Sequence, residues 1–156
     1  AGGCSTGPAM PVRLDEQVDP ALWSSFAPVS MRISSLTRVE EGPGGLPRLV
    51  LYFELLDAWG DSTKTPGWLQ VELFAVRGIA AEREQRWEVN LTDPGRNSAF
   101  FDITRMYRMP LDEAPAWMID AASANRPTAV RIRGFYRTMG PAQTVIDLRD
   151  SFERSL

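Results

Sequence analysis

Alternation of apolar and polar residues recurs along most of the chain and predicts β-strands. From Trp68 to Val76, apolar residues alternate with polar ones, the pattern of an antiparallel strand with one face in water. In the segment 29–40 the same pattern slips phase near Ser35, where we expect a bulge that restores the buried face. Further strands are predicted in the segments 86–91, 101–111, 128–138 and 143–149, the last two forming a terminal hairpin.

One run is almost continuously apolar. Residues 48–59, RLVLYFELLDAW, combine β-branched and aromatic side chains, which is typical of a central strand covered on both faces. Phe53 in this run and Trp87 in a later strand are predicted core residues. Truncating either to alanine would cost about 3 to 5 kcal/mol if that prediction holds.

Two segments favour short helices. Asp19 and Pro20 have the residue types of an N-cap and a first helical position, and they predict a helical turn from Asp19 to Phe26. Residues 115–124, PAWMIDAASA, predict a second helix that closes one end of the fold. By contrast, the segment 92–95, Thr-Asp-Pro-Gly, is predicted as a turn.

These elements together predict an all-β fold, a mainly antiparallel β-sandwich with one or two short helices. The estimate is about seven strands, spaced roughly ten to twenty residues apart, which favours a sandwich over a βαβ sheet. The predicted domain spans residues 19–156. Residues 1–18 contain glycine, proline and charged residues without sustained periodicity, and they predict a flexible tether.

Composition narrows the classes of function. The formal net charge of -3 has the wrong sign for general affinity for nucleic acid. Histidine is absent and Cys4 is the single cysteine, which removes serine–histidine and cysteine–histidine catalysis, histidine-bound zinc and thiolate metal clusters. No apolar stretch has the length of a transmembrane helix. Carboxylate-only mechanisms remain open, but no spacing of carboxylates specifies a catalytic pair. The sequence therefore predicts a protein that is not an enzyme, with no catalytic residue and no cofactor.

The extreme N-terminus has a pattern of its own. Cys4 follows the small residues Gly2 and Gly3 and precedes a stretch of serine, threonine, glycine and proline. This pattern resembles the lipobox of bacterial lipoproteins, although Ala1 stands where that family usually has leucine. The resemblance implies cleavage before Cys4, a diacylglycerol anchor on its thiol, and a location in the bacterial cell envelope, periplasmic or on the outer surface. The alternative is a chemically idle cysteine in a leader segment.

Two tryptophans flank the polar segment 60–67. Trp59 precedes this segment and Trp68 follows it. Exposed tryptophans on β-sandwiches stack on sugars or peptides, so the pair predicts a ligand-binding site. The alternative is that both indoles are core aromatics that cap the loop, because large aromatic area is normally buried.

Asp57 and Asp61 bracket the start of the same loop and predict a calcium site. Clustered loop carboxylates are ligands that calcium prefers. Their placement resembles C2-type lipid-binding domains, although the dense aspartate pattern of those calcium loops is absent here. The alternative role is turn formation, the usual work of aspartate in loops.

Arginines mark a third candidate site. Arg131, Arg133 and Arg137 share one face of a predicted strand, and Arg105 and Arg108 lie on another. If the two strands are neighbours, the five side chains form an anion-binding stripe. The alternative is a solvated face whose arginines pair with acidic residues across the strands.

The function predicted from these features is that of a non-enzymatic, lipid-anchored envelope protein that acts as an assembly or protein-interaction module. Its expected partner is another envelope protein, and its contact with the membrane is through the lipid anchor only. The alternative is a ligand-binding sandwich that takes carbohydrate through exposed tryptophan, or calcium and lipid in the manner of C2-type domains. The step from sandwich to interaction module rests on analogy between folds.

Overall fold

A computed structural model describes residues 24–156, in which the chain forms two antiparallel β-sheets around one core. The predicted all-β sandwich is confirmed. Cys4, the tether predicted at 1–18 and most of the helical turn predicted at 19–26 lie outside the described residues. The elements in chain order are β1 (Ser30–Ile33), β2 (Arg38–Glu41), β3 (Pro47–Leu56), β4 (Ser62–Thr63), β5 (Gly67–Arg77), β6 (Ala80–Leu91), α1 (Pro94–Ala99), β7 (Tyr107–Leu111), β8 (Ala129–Met139) and β9 (Val145–Ser155).

Sheet A is built on both edges of β3. Strands β1 and β4 both pair with Leu55 and Leu56, so they occupy opposite edges. Strands β2 and β7 both pair with Leu49 and Val50, and they too lie on opposite edges. Because β1 and β7 share Phe53 as a partner, β1 and β2 follow one another along one edge while β4 and β7 share the other.

The break between β1 and β2 falls where the hydrophobic phase slips. Ile33 pairs with Phe53 and Arg38 pairs with Val50, so five steps on the outer strand oppose three steps on β3. Two residues are therefore extra on the outer strand, which is a wide irregularity of the bulge type. The interruption keeps the inner residues of both strands facing the core.

Sheet B has the order β6-β5-β8-β9 and is antiparallel throughout. A two-residue turn joins β5 to β6, and Gly78 occupies it with a φ of 64°, a conformation that glycine adopts at low cost. The predicted terminal hairpin of β8 and β9 is confirmed. Both strands of each hairpin are long, so this sheet presents a broad outer face.

The core lies between the two sheets. Phe53 of sheet A lies with its ring centroid 6.0 Å from that of Tyr136 in sheet B. Opposite Met31 of β1, β8 carries Gly134, where a Cβ atom would come within 2.6 Å of the methionine methyl group. The sheets thus approach closely enough that one inner position of β8 accommodates only a hydrogen without rearrangement.

Strand β3 is buried on both faces, as its apolar run predicts. Its outward residues Val50 and Tyr52 are buried along with the inward ones. Their cover is formed by long side chains of neighbouring strands: Arg38 and Arg108 both donate to the Tyr52 hydroxyl, at 3.2 and 3.1 Å. Arginine stems over a tyrosine replace a second layer of secondary structure there.

The prediction of a helix at 115–124 is wrong. Only Ala116–Met118 forms a short 3-10 turn. Beyond it, the Asp120 carboxylate accepts the amide of Ala122 at 3.0 Å, so a local side-chain turn replaces a helical hydrogen bond. No helix in the described part of the chain is long and apolar enough to cross a bilayer.

The strand predicted at 101–111 begins only at Tyr107. Ile103, predicted to be buried, is fully exposed, and Arg105 adopts a φ of 63°. The carboxylate of Asp102 accepts the amide of Thr104 at 2.7 Å, which closes a turn where alternation predicts a strand. Only an isolated bridge from Phe101 to Tyr107 precedes β7.

Helix α1 replaces the turn predicted at 92–95. Asp93 is its N-cap and accepts the amide of Arg96 at 2.7 Å, and Pro94 occupies the first helical position. These residue types are the usual signals of a helix start. The helix has only six residues, and its importance lies in placing Asn97 in the core.

Candidate binding face on the second sheet

The outer face of sheet B carries a concentration of charged side chains, and we call it the arginine face. Side chains point outward from alternate positions of all four strands. Of the seventeen basic residues of the chain, six lie here, against four of its twenty acidic residues. An acidic protein therefore has one face with an excess of positive charge. The six are Arg83, Arg86, Arg131, Arg133, Arg137 and Arg149.

A groove of about 740 Å³ crosses this face. It is lined by residues from β5, β6, β8 and β9, so it runs across the strands rather than along them. Trp68 forms part of its wall with 54% of its surface exposed. We call it the Trp68 groove. The side chains that line it include Trp68, Gln70, Phe135, Arg137, Asp147 and Arg149.

Acidic residues on the arginine face are tied to arginines. Asp147 accepts from Arg137 at 2.7 and 3.2 Å, a two-point contact across β8 and β9. The hydrogen bond from the Arg137 guanidinium holds the pKa of Asp147 below its usual value. The other three pairs are Glu72 with Arg83, Glu88 with Arg86, and Glu153 with Arg131.

Two arginines of the arginine face have no acidic partner among the described residues. Arg149 lies directly across from Phe135 in the register of β8 and β9 and forms no ion pair. Arg133 precedes Phe135 by two residues on the same face and stacks over the ring of Phe74, 4.8 Å from its centroid. The uncompensated positive charge of the face is thus concentrated around Phe135.

An apolar patch adjoins the groove. Met139 and Val145 form the last outward pair of the β8–β9 hairpin, and both are exposed. A second hollow, of about 320 Å³, lies between this pair, Pro66 and Trp68. Trp68 therefore separates two concave surfaces, one charged and one apolar.

The two candidate tryptophans have different surroundings. Trp59 is 60% exposed and packs edge-on against Phe26, with ring centroids 4.9 Å apart. It follows β3 of sheet A, whereas Trp68 lies on β5 of sheet B. The two indoles make no ring contact with each other in the described structure. Only Trp68 lines the groove.

Asp57 acts as a turn former in the structure. Its carboxylate Oδ1 accepts the amides of Trp59 at 2.9 Å and Asp61 at 3.0 Å, and its side chain is buried. Asp61 is exposed. Among the described residues no three carboxylate, cysteine or histidine side chains converge as metal ligands would. The calcium hypothesis gains no support from this geometry.

The predicted arginine stripe is divided between the two sheets. Arg108 lies on β7 in sheet A and faces Tyr52 and Glu40, and Arg105 is exposed in the loop before β7. The β8 arginines belong to sheet B, so the strands that carry the two groups are not neighbours. The prediction that they combine is wrong. The alternative, pairing across strands, holds for Arg131 and Arg137.

Beneath one end of the groove lies a buried polar cluster, formed by Thr65, Asn97, Tyr107 and Tyr136. The Asn97 amide donates to the carbonyl oxygens of Thr65 at 2.9 Å and Leu91 at 3.1 Å. Its oxygen accepts from the Tyr107 hydroxyl at 2.8 Å, and the Tyr136 hydroxyl donates to the Thr65 carbonyl at 2.5 Å. The cluster fixes the segment that carries the chain from sheet A to Trp68.

We expect Tyr107 and Tyr136 to resist ionisation in the folded protein. Desolvation by burial raises the pKa of both phenols above the ordinary value, so the stability they contribute is complete below about pH 10. That contribution is lost as the pH rises from there through the folded-state values. The measurement is tyrosinate absorbance alongside circular dichroism between about pH 8 and pH 12 in a Tyr52→Phe variant. Ionisation clearly ahead of unfolding would contradict the burial of the pair.

Sequence reasoning identified only Trp68 and Arg137 among the residues of the groove, and Phe135 and Arg149 are the most important of those it missed. Phe135 shares the outward parity of Arg131, Arg133 and Arg137, so the signal for its position is present in the alternation of β8. Arg149 is different, because its position opposite Phe135 depends on the register that the β8–β9 turn sets. Parity alone could have found the first and not the second.

By its two antiparallel sheets around one core, the described part of the chain is an all-β sandwich. No protein-family model matches the sequence, and none of the curated proteins compared with it matches.

Proposed function

We propose that the protein is a non-enzymatic interaction module of the bacterial cell envelope, anchored by lipid on Cys4, whose arginine face binds another envelope protein. The observation that carries the proposal is the half-exposed Trp68 between a charged groove and an apolar hollow. Tryptophan and arginine are the residues most enriched among those that dominate binding energy at protein interfaces.

The surroundings of Trp68 have the composition of an interface. Met139 and Val145 supply exposed apolar area, and the Arg137–Asp147 pair supplies charge beside it. Interfaces typically combine an apolar centre with a polar rim, and exposed apolar patches commonly mark such sites. The location in the envelope rests on the sequence around Cys4. The absence of histidine from the chain supports a role without acid–base or nucleophilic catalysis of the histidine type.

Photo-crosslinking from two matched positions tests this proposal. Met139 on the arginine face and Leu46 before β3 are equally exposed, at 58%. With a benzoylphenylalanine at position 139, we expect one discrete cross-linked protein in the cells that produce the chain. Trp68→Ala should lower the affinity for this protein about thirtyfold or more, and the yield of the product with it, because truncating an interface anchor commonly costs about 2 kcal/mol or more. The same probe at position 46 should give no such product.

Further outcomes decide the proposal. The cross-linked partner, once purified, should bind the protein in solution and lose that binding with Trp68→Ala. Equal products from positions 46 and 139, or a product indifferent to Trp68→Ala, would remove the arginine face as the binding surface. Mass spectrometry of the same preparation reports diacylglycerol on Cys4, and an unmodified Cys4 with residues still attached upstream would remove the anchor.

Carbohydrate binding is a second candidate, favoured by the groove itself. Trp68 offers a flat apolar surface, and Gln70 and Asp147 offer hydrogen-bonding groups in the same concavity. The volume lies within the range of small-ligand sites. Trp59 takes no part in this groove, so the candidate depends on Trp68 alone. A Trp68-dependent affinity for neutral oligosaccharides, without a cross-linked protein from position 139, would favour it.

A further inference from the structure

The arginine face has more positive than negative side chains. Its four acidic residues are each held by an arginine of the same face, and these contacts leave Arg133 and Arg149 uncompensated within the described residues. The two occupy diagonal positions on β8 and β9, about 7 to 8 Å apart between their Cα atoms. Like charges at that separation repel, and an anion placed between them relieves the repulsion.

The neighbouring surface is apolar. Phe135 is a neighbour of both arginines: it lies two residues along β8 from Arg133 and directly across from Arg149 on β9. Trp68 lies diagonal to Phe135 on β5, the strand on the other side of β8. The Trp68 groove passes over both rings and ends at Arg149 on β9. A ligand that satisfies this surface carries negative charge at one end and an apolar group at the other.

The dimensions fit a short stretch of extended chain. Four strands about 4.8 Å apart make the groove about 14 Å long, and an extended polypeptide advances about 3.3 Å per residue. About four to five residues therefore span the groove. Side chains two residues apart project from the same side of an extended chain about 6.6 Å from one another, close to the spacing of the two arginines.

From these observations we infer that the Trp68 groove and the adjoining Arg133 bind an extended acidic segment of a partner protein, with one carboxylate at Arg149 in the groove, a second at Arg133 beside it, and an apolar side chain over Trp68 and Phe135. The inference rests on the proposed protein-binding function and specifies the partner's chemistry. Guanidinium–carboxylate contacts would supply specificity, since each can form two hydrogen bonds. Aromatic burial would supply much of the affinity.

The probe is a fluorescein-labelled peptide of sequence Gly-Glu-Ser-Glu-Ser-Leu-Gly, compared with the same peptide carrying glutamine for glutamate. Fluorescence anisotropy with the whole chain should show binding of the acidic peptide about tenfold or more tighter than of the glutamine peptide. Arg149→Gln and Arg133→Gln should each weaken the acidic peptide about tenfold and leave the glutamine peptide unchanged. Higher salt should weaken it as well.

Arg96→Gln is the matched control, because it removes the same charge from an exposed position on α1, away from the arginine face. It should change the affinity less than about twofold. Equal affinity for the two peptides, no binding of either, or equal losses in Arg96→Gln and Arg149→Gln would overturn the inference. Tighter, Arg149-dependent binding of an acidic oligosaccharide than of the peptide would also overturn it.

The two proposals fail separately. A Trp68-dependent cross-linked partner at position 139 that binds independently of Arg133 and Arg149 leaves the interaction module standing and removes the acidic segment. If no discrete partner is cross-linked from position 139, the proposal of an interaction module is itself removed.

Discussion

Replacing Phe53 by alanine is expected to destabilise the protein by about 3 to 5 kcal/mol, the usual cost of truncating a fully buried phenylalanine. Phe53 has no exposed surface and stacks on Tyr107 with ring centroids 4.8 Å apart and planes 9° from parallel. Its ring also faces Tyr136 of the opposite sheet. Alanine would leave a cavity at the point where the two sheets meet, and equilibrium unfolding in urea measures the loss.

Two further variants give the Phe53 result its meaning. Phe53→Leu keeps most of the volume and should cost about 1.5 kcal/mol or less. Trp87 is predicted as a core residue, but the structure buries it only partly, and its indole nitrogen donates to the carbonyl of Asp112 at the surface. Trp87→Ala should therefore cost less than Phe53→Ala. A loss below about 1 kcal/mol for Phe53→Ala would contradict its place in the inter-sheet core.

Alternation predicts this fold well where a strand has one face in the core and one in water. In β5, each inward residue from Leu69 to Ala75 is buried, as the period of two requires. The double burial of β3 is also visible in its sequence, although the arginine stems that cover Tyr52 are not. The local sequence pattern is enough to predict which residues are buried here, because successive residues of a strand point to opposite faces of the sheet.

Local pattern fails where side chains compete for the backbone. Asp102 and Asp120 each accept an amide two residues ahead, and these turns replace a predicted strand and a predicted helix. The sequence also says nothing of strand order. The alternation pattern does not tell which sheet Arg108 or Arg133 belongs to, yet β7 joins sheet A and β8 joins sheet B through long-range pairing.

The candidate site divides in the same way. The sequence leaves open whether Trp68 is an exposed binding aromatic or a core residue that caps the loop, and in the structure 54% of its surface is exposed. The groove, however, depends on four strands lying side by side, and two of them are joined to the others only by non-local pairing. Asn97 was not identified for another reason: it follows a predicted turn, and asparagine there is normally exposed.

Replacing Asn97 by alanine is expected to cost about 3 kcal/mol, because each buried polar group left without a partner costs about 1 to 3 kcal/mol. Asn97 is buried, and its amide donates to the carbonyl oxygens of Leu91 and Thr65, the second of which also accepts from the hydroxyls of Tyr107 and Tyr136. Its oxygen accepts from Tyr107. Thermal and urea unfolding measure the loss. Asn125→Ala, at an exposed position, should change stability by no more than about 0.5 kcal/mol.

Asn97→Asp separates lost hydrogen bonds from lost volume. Aspartate has the shape of asparagine, but its ionised carboxylate would face the Thr65 and Leu91 carbonyl oxygens without a hydrogen to donate. Burial would raise the pKa of this carboxyl, so the variant's deficit against the parent should be smallest below about pH 4 and grow as the pH rises. A deficit independent of pH, or equal to that of Asn125→Ala, would mean that the Asn97 contacts do not hold the segment before Trp68 in place.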